Sequence, residues 1–322
     1  MKSVQDIVEM ASAYYSSALL FAAIDCDIFS RIEKGEIEAD NRAMCLMLDA
    51  LVAEGLLEKS ADGVYSNTSA SRLALIPGAP ADLTNAIRYN RDVYPAWGNL
   101  AQFVKTSRPV EKPEIHLGED DARTKMFASA MFSRAMAIGR GIVPMLGKLE
   151  GKVLDLAGGP AAYAILMCKA NPALKCTSVD LAPISNEAKK YVLDAGFCDC
   201  IECRAGDYHT DEYEEGEYDF VTLFGCLHQE SPEMIVDILK RANKALKKGG
   251  NVFVLDMMTD HTKTSPKFSA LFGLNMALTT ENGWVFSDSE LKLWMNEAGF
   301  VAEETLKAPP PMPHWLVVGE KI

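Results

Sequence analysis

Three acidic positions and a pair of glycines hold chemistry that can be read at once. Asp155-Leu156-Ala157-Gly158-Gly159-Pro160 follows the short apolar run that begins at Val153 and leads into a helical one. Two glycines there permit positive φ and close backbone approach, and a helix start presents unpaired N–H groups to a ligand. Asp180 closes the next apolar run, Cys176 to Val179, where a carboxylate can accept both hydroxyl hydrogen bonds of a ribose. Asp207, in Ala205-Gly206-Asp207-Tyr208, is placed to accept from an adenine amino group. Taken singly, the glycines are as readily turn formers and Asp180 as readily the cap of a following helix. Together they make a nucleoside site. A dinucleotide fingerprint needs a third glycine where Ala162 and Tyr163 stand, and no cationic or glycine-rich cradle awaits a diphosphate. Adenosine carrying a zwitterionic amino-acid tail fits better.

The elements that must position these residues follow from periodicity. From Lys152 onward strand and helix alternate: Val153 to Leu156, Tyr163 to Ala170, Cys176 to Asp180, Asp219 to Leu223, Met234 to Leu246, Asn251 to Leu255. Such alternation predicts a parallel sheet covered on both faces, with ligands beyond the strands' carboxyl ends. A helix from Ser287 to Ala298, a strand near Val301 to Leu306 and the apolar strand Trp315 to Val318 close the chain. Before Lys152 the pattern is helical, over Ile7 to Ile32, Met44 to Leu57, Ser69 to Leu75, Leu83 to Val104 and Ala122 to Leu149. Asp62-Gly63 marks a tight hairpin after the second of these, as in a winged helix, and the stretch from Pro109 to Gly118 interrupts the helices. The reading is thus α/β: a Rossmann-like domain over 106–322, with its leading helices, behind an all-helical, winged-helix-like domain over 1–105.

A formal net charge of −13 provides no field for polyanions, so nucleic acid is not an expected partner. Lys247-Lys248 before two glycines reads as a helix C-terminus. Ser17 to Ile24 is short, follows acidic residues and runs into Asp25 and Asp27, which predicts neither a secretory signal nor a membrane span. Eight scattered cysteines suit a reducing compartment, and the cytoplasm is the expected location. Cys198, Cys200 and Cys203 invite a metal reading, but the spacing and the lack of a partner pair favour buried strand cysteines, and no metal is expected.

At these motifs the sequence resembles class I S-adenosylmethionine-dependent methyltransferases, specifically the plant-type O-methyltransferase family with an N-terminal winged-helix-like dimerisation domain, in its bacterial branch. The match is carried by Leu154 to Pro160, Val179 to Pro183, Gly206-Asp207-Tyr208, Leu227 to Ser231, Leu246 to Gly250 and Phe127 to Met131. The resemblance implies S-adenosylmethionine as cofactor, a small-molecule methyl acceptor and a homodimer. It sets Asp155, Gly158 and Gly159 in the cofactor turn, Asp180 and Leu181 at ribose and adenine, Asp207 and Tyr208 at adenine, and Phe224 and Gly225 along the pocket. His228 falls on the family's catalytic base, and Met131 and Met276 on substrate-side positions. Of the two acids that flank this base, Asp256 occupies one place and Val285 the other, so Glu281 is the candidate substitute. Ala157 and Ala161 replace motif glycines, and Gln229-Glu230 replaces an Asp-Trp. Glu33 to Asn41 is a short connection where the family has another helix, which truncates the helix-turn-helix and weakens any groove-reading role.

Without the resemblance, His228 reads as a histidine satisfied at a strand end. With it, His228 is a general base that deprotonates a hydroxyl as methyl transfer proceeds. The acceptor implied is a hydroxylated aromatic or conjugated molecule. Methylation at carbon, nitrogen or sulfur, and a cofactor-binding protein without transfer activity, are the alternatives. Met126, Met131, Met136 and Met276 at helical spacing read first as core. His116, His209, His261 and His314 stand in no constellation and are expected on loops or at the surface. Leu19, Leu20, Phe21 and Ile24, with the helix carrying Leu51, supply more apolar surface than one small domain can bury, which also points to a dimer.

Overall fold

A computed structural model describes residues 2–111, 121–310 and 312–322. The chain forms two compact units, 1–94 and 95–322, dividing inside a helix, whereas the sequence pattern placed the boundary at 105/106.

The first unit opens with α1 (Val4–Ser12), α2 (Tyr14–Asp25) and α3 (Ile28–Glu33), so the predicted Ile7-to-Ile32 helix is cut at Ala13 and again at Asp27, whose φ is 50°. Next come α4 (Arg42–Ala53), capped by Asn41, then β1 (Leu57–Lys59), β2 (Tyr65–Asn67) and α5 (Ser69–Ala74). The hairpin turns where Asp62-Gly63 predicted, with Gly63 at φ 80°. Ala23, Ile24, Ile28, Phe29, Leu48, Leu51 and Leu57 form its core, and buried Asn67 ties β2 to the helices by donating to the Phe29 carbonyl at 2.8 Å. Taken together, the helical stretch Val4–Asp25 has mean hydropathy 1.4 and is long and apolar enough to cross a membrane by length and composition alone. The sequence reading had predicted no span here. Only 11% of its apolar 18-residue window is buried, and Val4, Ile7, Val8 and Met10 are exposed.

The division falls within α6 (Thr84–Gly98), and α7 (Leu100–Thr106) and α8 (Asp121–Ile142) follow in the second unit. There β3 (Lys152–Leu156), α9 (Ala162–Ala170), β4 (Lys175–Asp180), α10 (Ala182–Ala195) and β5 (Ile201–Ala205) build one half of the sheet. The other half is β6 (Tyr218–Phe224), α11 (Pro232–Ala245), β7 (Leu246–Asp256), α12 (Lys267–Thr279), α13 (Asp288–Glu297), β8 (Phe300–Ala302), β9 (Leu306–Lys307) and β10 (Trp315–Lys321). Strand order is β5-β4-β3-β6-β7-β10-β8, with β9 against β10. The first five are mutually parallel, while β10 is antiparallel to its neighbours β7, β8 and β9. The order reverses beside β3, so the crevice between the ends of β3 and β6 is the switch point where a ligand docks. Helix α11 ends at Ala245, and Lys247 lies on β7 paired with Asp219 at 2.8 Å; the predicted helix C-terminus at Lys247-Lys248 is corrected accordingly. Cys198 and Cys200 sit in the turn before β5, the former exposed, and only Cys203 is on the strand, half-buried, so buried strand cysteines describes none of the three.

Sheet register fixes the centre of this unit. Asp155 on β3 lies directly beside Ser178 on β4 and Thr222 on β6. Its carboxylate, 1% exposed, accepts from Thr222 Oγ1 at 2.6 Å and Ser178 Oγ at 3.1 Å. Burial pushes its pKa up to about 6 even with both hydroxyls lowering it. Thr222→Val keeps the shape and deletes one donor. It is expected to destabilise the protein by about 1–3 kcal/mol, the cost of leaving a buried acceptor under-satisfied. Chemical denaturation of the full chain checks this, and an unchanged midpoint would show that Thr222 is dispensable to the clamp.

Candidate active site

The turn after β3 is shaped around that carboxylate. A Cβ on Gly158 would lie 2.1 Å from Ser178 Oγ and 2.3 Å from Asp155 Oδ2, so only glycine fits. Gly159 has φ 57°, and the two alanines that stand where motif glycines were expected are left-handed too, Ala157 at 50° and Ala161 at 61°. The loop keeps a glycine-type conformation with alanine side chains, at a steric cost of roughly 1–2 kcal/mol each. Ala161 starts α9 without a side-chain cap, which leaves that helix's first amides facing the crevice.

Asp180, at the end of β4, is held by backbone: Gly159 N–H donates to Oδ2 and Leu181 N–H to Oδ1, both at 2.8 Å. It is not a side-chain cap of α10, whose N-cap is Leu181. A carboxylate offers about four lone-pair sites, so each oxygen retains capacity for a hydroxyl. Burial raises its pKa to about 6, opposed by those two amides. Asp207, past β5, accepts at Oδ1 from the His209 amide at 2.9 Å, and the same oxygen lies 2.7 Å from the His209 ring Nδ1. The other ring nitrogen of His209 meets Glu230 Oε2 at 3.1 Å, and Tyr208 donates its hydroxyl to Glu230 Oε1 at 2.5 Å. His209 is therefore no bystander. Burial disfavours its charged ring, but Glu230 and Asp207 together raise its pKa above the ordinary histidine value. Glu230, 8% exposed, departs from the family's usual residue and proves to be the hub of this network.

At the next strand end, Phe224 is buried edge-on to Tyr163 with centroids 4.9 Å apart, and Gly225, at φ 69°, donates its N–H to the Leu255 carbonyl. His228, 7% exposed, follows in a short 3-10 turn. Its Nδ1 is 2.7 Å from Asp256 Oδ1, and its backbone N–H donates to Oδ2 at 3.2 Å, so one carboxylate at the end of β7 holds both ring and main chain. Phe272 on α12 meets the imidazole edge-on at 5.1 Å. Glu281 is exposed beyond α12 and is not among the groups hydrogen-bonded to His228, and Val285 is buried nearby in sequence. The structure thus pairs the histidine with Asp256. Met276 is buried on α12 and Met131 half-buried on α8. His261 is exposed, His116 lies outside the described residues, and His314 lies in the loop before β10, where it is 6% exposed. Among the described residues no cluster of side chains suited to a metal forms.

These features define a class: a Rossmann-like transferase with a nucleoside pocket at the switch point and an acid–imidazole pair one strand beyond. The model of the O-methyltransferase domain family matches residues 111–301. The chain is 28% identical to 3-hydroxy-5-methyl-1-naphthoate 3-O-methyltransferase of Streptomyces sahachiroi, covering 98% of this chain and 94% of that protein. It is 26% identical to the tetracenomycin polyketide synthesis 8-O-methyl transferase TcmO of Streptomyces glaucescens, over 98% and 96% of the two chains. In fold it resembles human N-acetylserotonin methyltransferase in complex with S-adenosylmethionine, with a TM-score of 0.87 at 22% identity over 100% and 99% of the two chains. The chain belongs to the O-methyltransferase domain family and is an S-adenosylmethionine-dependent methyltransferase.

The Asp180 environment generates a pH prediction. Because its pKa is raised to about 6, folding of the ligand-free chain is penalised as pH climbs from the unfolded carboxylate range, near 4, to that value. The ribose-acceptor role expected of Asp180 instead needs the ionised form. Affinity for S-adenosylhomocysteine is expected to weaken as pH falls below about 6. Asp180→Asn should bind more weakly by about 1.5–3 kcal/mol and lose most of that dependence. Calorimetric titration across this range measures both, and a flat wild-type profile would remove Asp180 from the site.

Proposed function

We propose that this enzyme methylates a hydroxyl group of an aromatic or conjugated small molecule, with His228 as general base and Asp256 as its orienting partner. The 2.7 Å contact between His228 Nδ1 and Asp256 Oδ1 carries the reading. With Nδ1–H donated to the carboxylate, Nε2 keeps its lone pair and becomes the proton acceptor. Two backbone amides, those of His228 and Met257, also donate to Asp256, which keeps the carboxylate fixed while the ring gains charge. Named activities of the two Streptomyces relatives, on a hydroxynaphthoate and in polyketide synthesis, support an oxygen acceptor.

Gly158, Gly159 and Asp180 would hold the amino-acid tail and ribose of S-adenosylmethionine, Asp207 and Tyr208 its adenine, with Asp155 acting beneath the turn. Leu181, Phe224 and Gly225 would line the pocket. The fit rests on the open space beside Gly159, where an added Cβ would meet no atom within 4 Å, and on the unused acceptor capacity of Asp180. Once bound, the cofactor supplies an electrophilic methyl on a sulfonium. His228 then takes the acceptor's proton, and the buried surroundings limit competing water. Met131 and Met276 would form part of the acceptor wall.

A homodimer belongs to the same reading, because Val4, Ile7, Val8 and Met10 on α1 expose apolar side chains that a second copy would cover. The cytoplasm is proposed from the cysteines, all eight of which are free thiols.

His228→Ala is expected to lower turnover of a neutral phenol by about 10²–10⁴-fold with little change in affinity for S-adenosylhomocysteine. The loss should shrink for acceptors already ionised at the assay pH. Near-normal turnover of the neutral phenol would return His228 to a structural role. For the dimer, light scattering at micromolar concentration is expected to report twice the chain mass, and a monomer would refute it.

A further inference from the structure

A second imidazole stands next to the His228–Asp256 pair, and the proposed reaction does not use it. His314 immediately precedes β10, whose Trp315 is paired with Asp256 across the antiparallel ladder. That register sets His314 beside Met257, the residue after Asp256. The His314 side chain is 6% exposed and its Nδ1 is buried without a hydrogen-bond partner. Leaving a buried polar atom unpaired costs about 1–3 kcal/mol, so such an atom at a strand end calls for a ligand group.

Arg134 completes the arrangement from α8. It is half-buried, its Nη2 lies 3.8 Å from Met257 Sδ, and no carboxylate among the described residues pairs with it. Burial and the guanidinium of Arg134 push the His314 pKa down to about 4, while Asp256 opposes them and His228 adds to them. The His314 ring is accordingly neutral at physiological pH and able to donate a single N–H. A half-buried guanidinium and a neutral imidazole donor, neither hydrogen-bonded to a carboxylate among the described residues, are the two groups needed to receive one.

We propose that Arg134 and His314 form a receptor for a carboxylate, or an equivalent acidic substituent, carried by the methyl acceptor, so that the preferred substrates are hydroxylated aromatic acids. This rests on the methyltransferase reading of the same site. Arg134 would supply the charge and His314 the directed hydrogen bond, and anchoring the acid there would turn the acceptor's hydroxyl toward His228. Both residues work by positioning.

The test is calorimetric titration of the full-length protein saturated with S-adenosylhomocysteine, using matched probes: 3-hydroxybenzoate against phenol, and 3-hydroxy-2-naphthoate against 2-naphthol. Each acid should bind about 10- to 100-fold more tightly than its neutral partner, the range for charge-assisted hydrogen bonds. Arg134→Met should abolish that preference while leaving affinity for S-adenosylhomocysteine within about twofold. Arg134→Lys should restore part of it, since the charge returns without the planar fork. His314→Phe, which keeps the ring's bulk, should lower it by about tenfold. Equal binding of acids and neutrals, or no binding of the acids, overturns the proposal. So does a parallel loss of S-adenosylhomocysteine affinity in Arg134→Met, which would assign the guanidinium to the cofactor's amino-acid tail. Failure of the unmodified protein to bind S-adenosylhomocysteine at all would remove the methyltransferase reading and this inference with it. Binding without discrimination would remove the inference alone.

Discussion

The carboxylate of Asp155 is the constraint around which the catalytic unit is arranged. It is buried at the middle strand of a parallel sheet and survives there because the register of both neighbours presents a hydroxyl to it, Ser178 from one side and Thr222 from the other. The turn above can approach only without a side chain at Gly158, and it reverses through left-handed residues at 157, 159 and 161. That path delivers the Gly159 amide to Asp180. One buried acid therefore ties β3 to β4 and β6 by side-chain hydrogen bonds and, through the turn above it, bears on the shape of that turn and the setting of Asp180. Alanine at two left-handed positions indicates that the conformation is imposed by the surroundings, because alanine does not prefer it.

Asp256 organises the neighbouring strand ends in a related way. The ring and amide of His228 and the amide of Met257 all converge on its two oxygens. Packing and main-chain bonds add to the rigidity of this pair. Phe272 stands against the ring's edge, and the Trp284 amide donates to the His228 carbonyl at 2.9 Å. Inserting β10 antiparallel beside β7 then brings His314 to the same edge from the far end of the chain.

On the nucleoside side, the departure at Gln229-Glu230 has a structural explanation. Glu230 gathers Tyr208 and His209, and His209 in turn fixes Asp207, so the segment after β5 is stiffened by a chain of charge-assisted hydrogen bonds. Both bonds from His209 fall on Asp207 Oδ1 and leave Oδ2 out of that network.

The parallel sheet, the switch point and the acids at three successive strand ends were legible in the sequence because they depend on local apolar periodicity and on turn chemistry. The same is true of the hairpin at Asp62-Gly63. Boundaries were less so: the first helix breaks at Ala13 and Asp27, and β7 takes over Lys247, because tertiary pairing outweighs local propensity at element ends. Pairings between distant residues left no periodic signal at all. Glu230 with His209, and Arg134 with Met257, lie 21 and 123 positions apart, and each pair meets only when strands and helices have docked. His314 shows the limit most plainly, since an isolated histidine after the proline-rich segment Pro309 to Pro313 has no local reason to be buried. The sequence by itself determined which strand ends carry chemistry, because one residue's place on a strand is a short-range property. Only the tertiary structure decided which side chains share a hydrogen bond there, because strand order and the antiparallel insertion of β10 are set by the packing of the whole sheet.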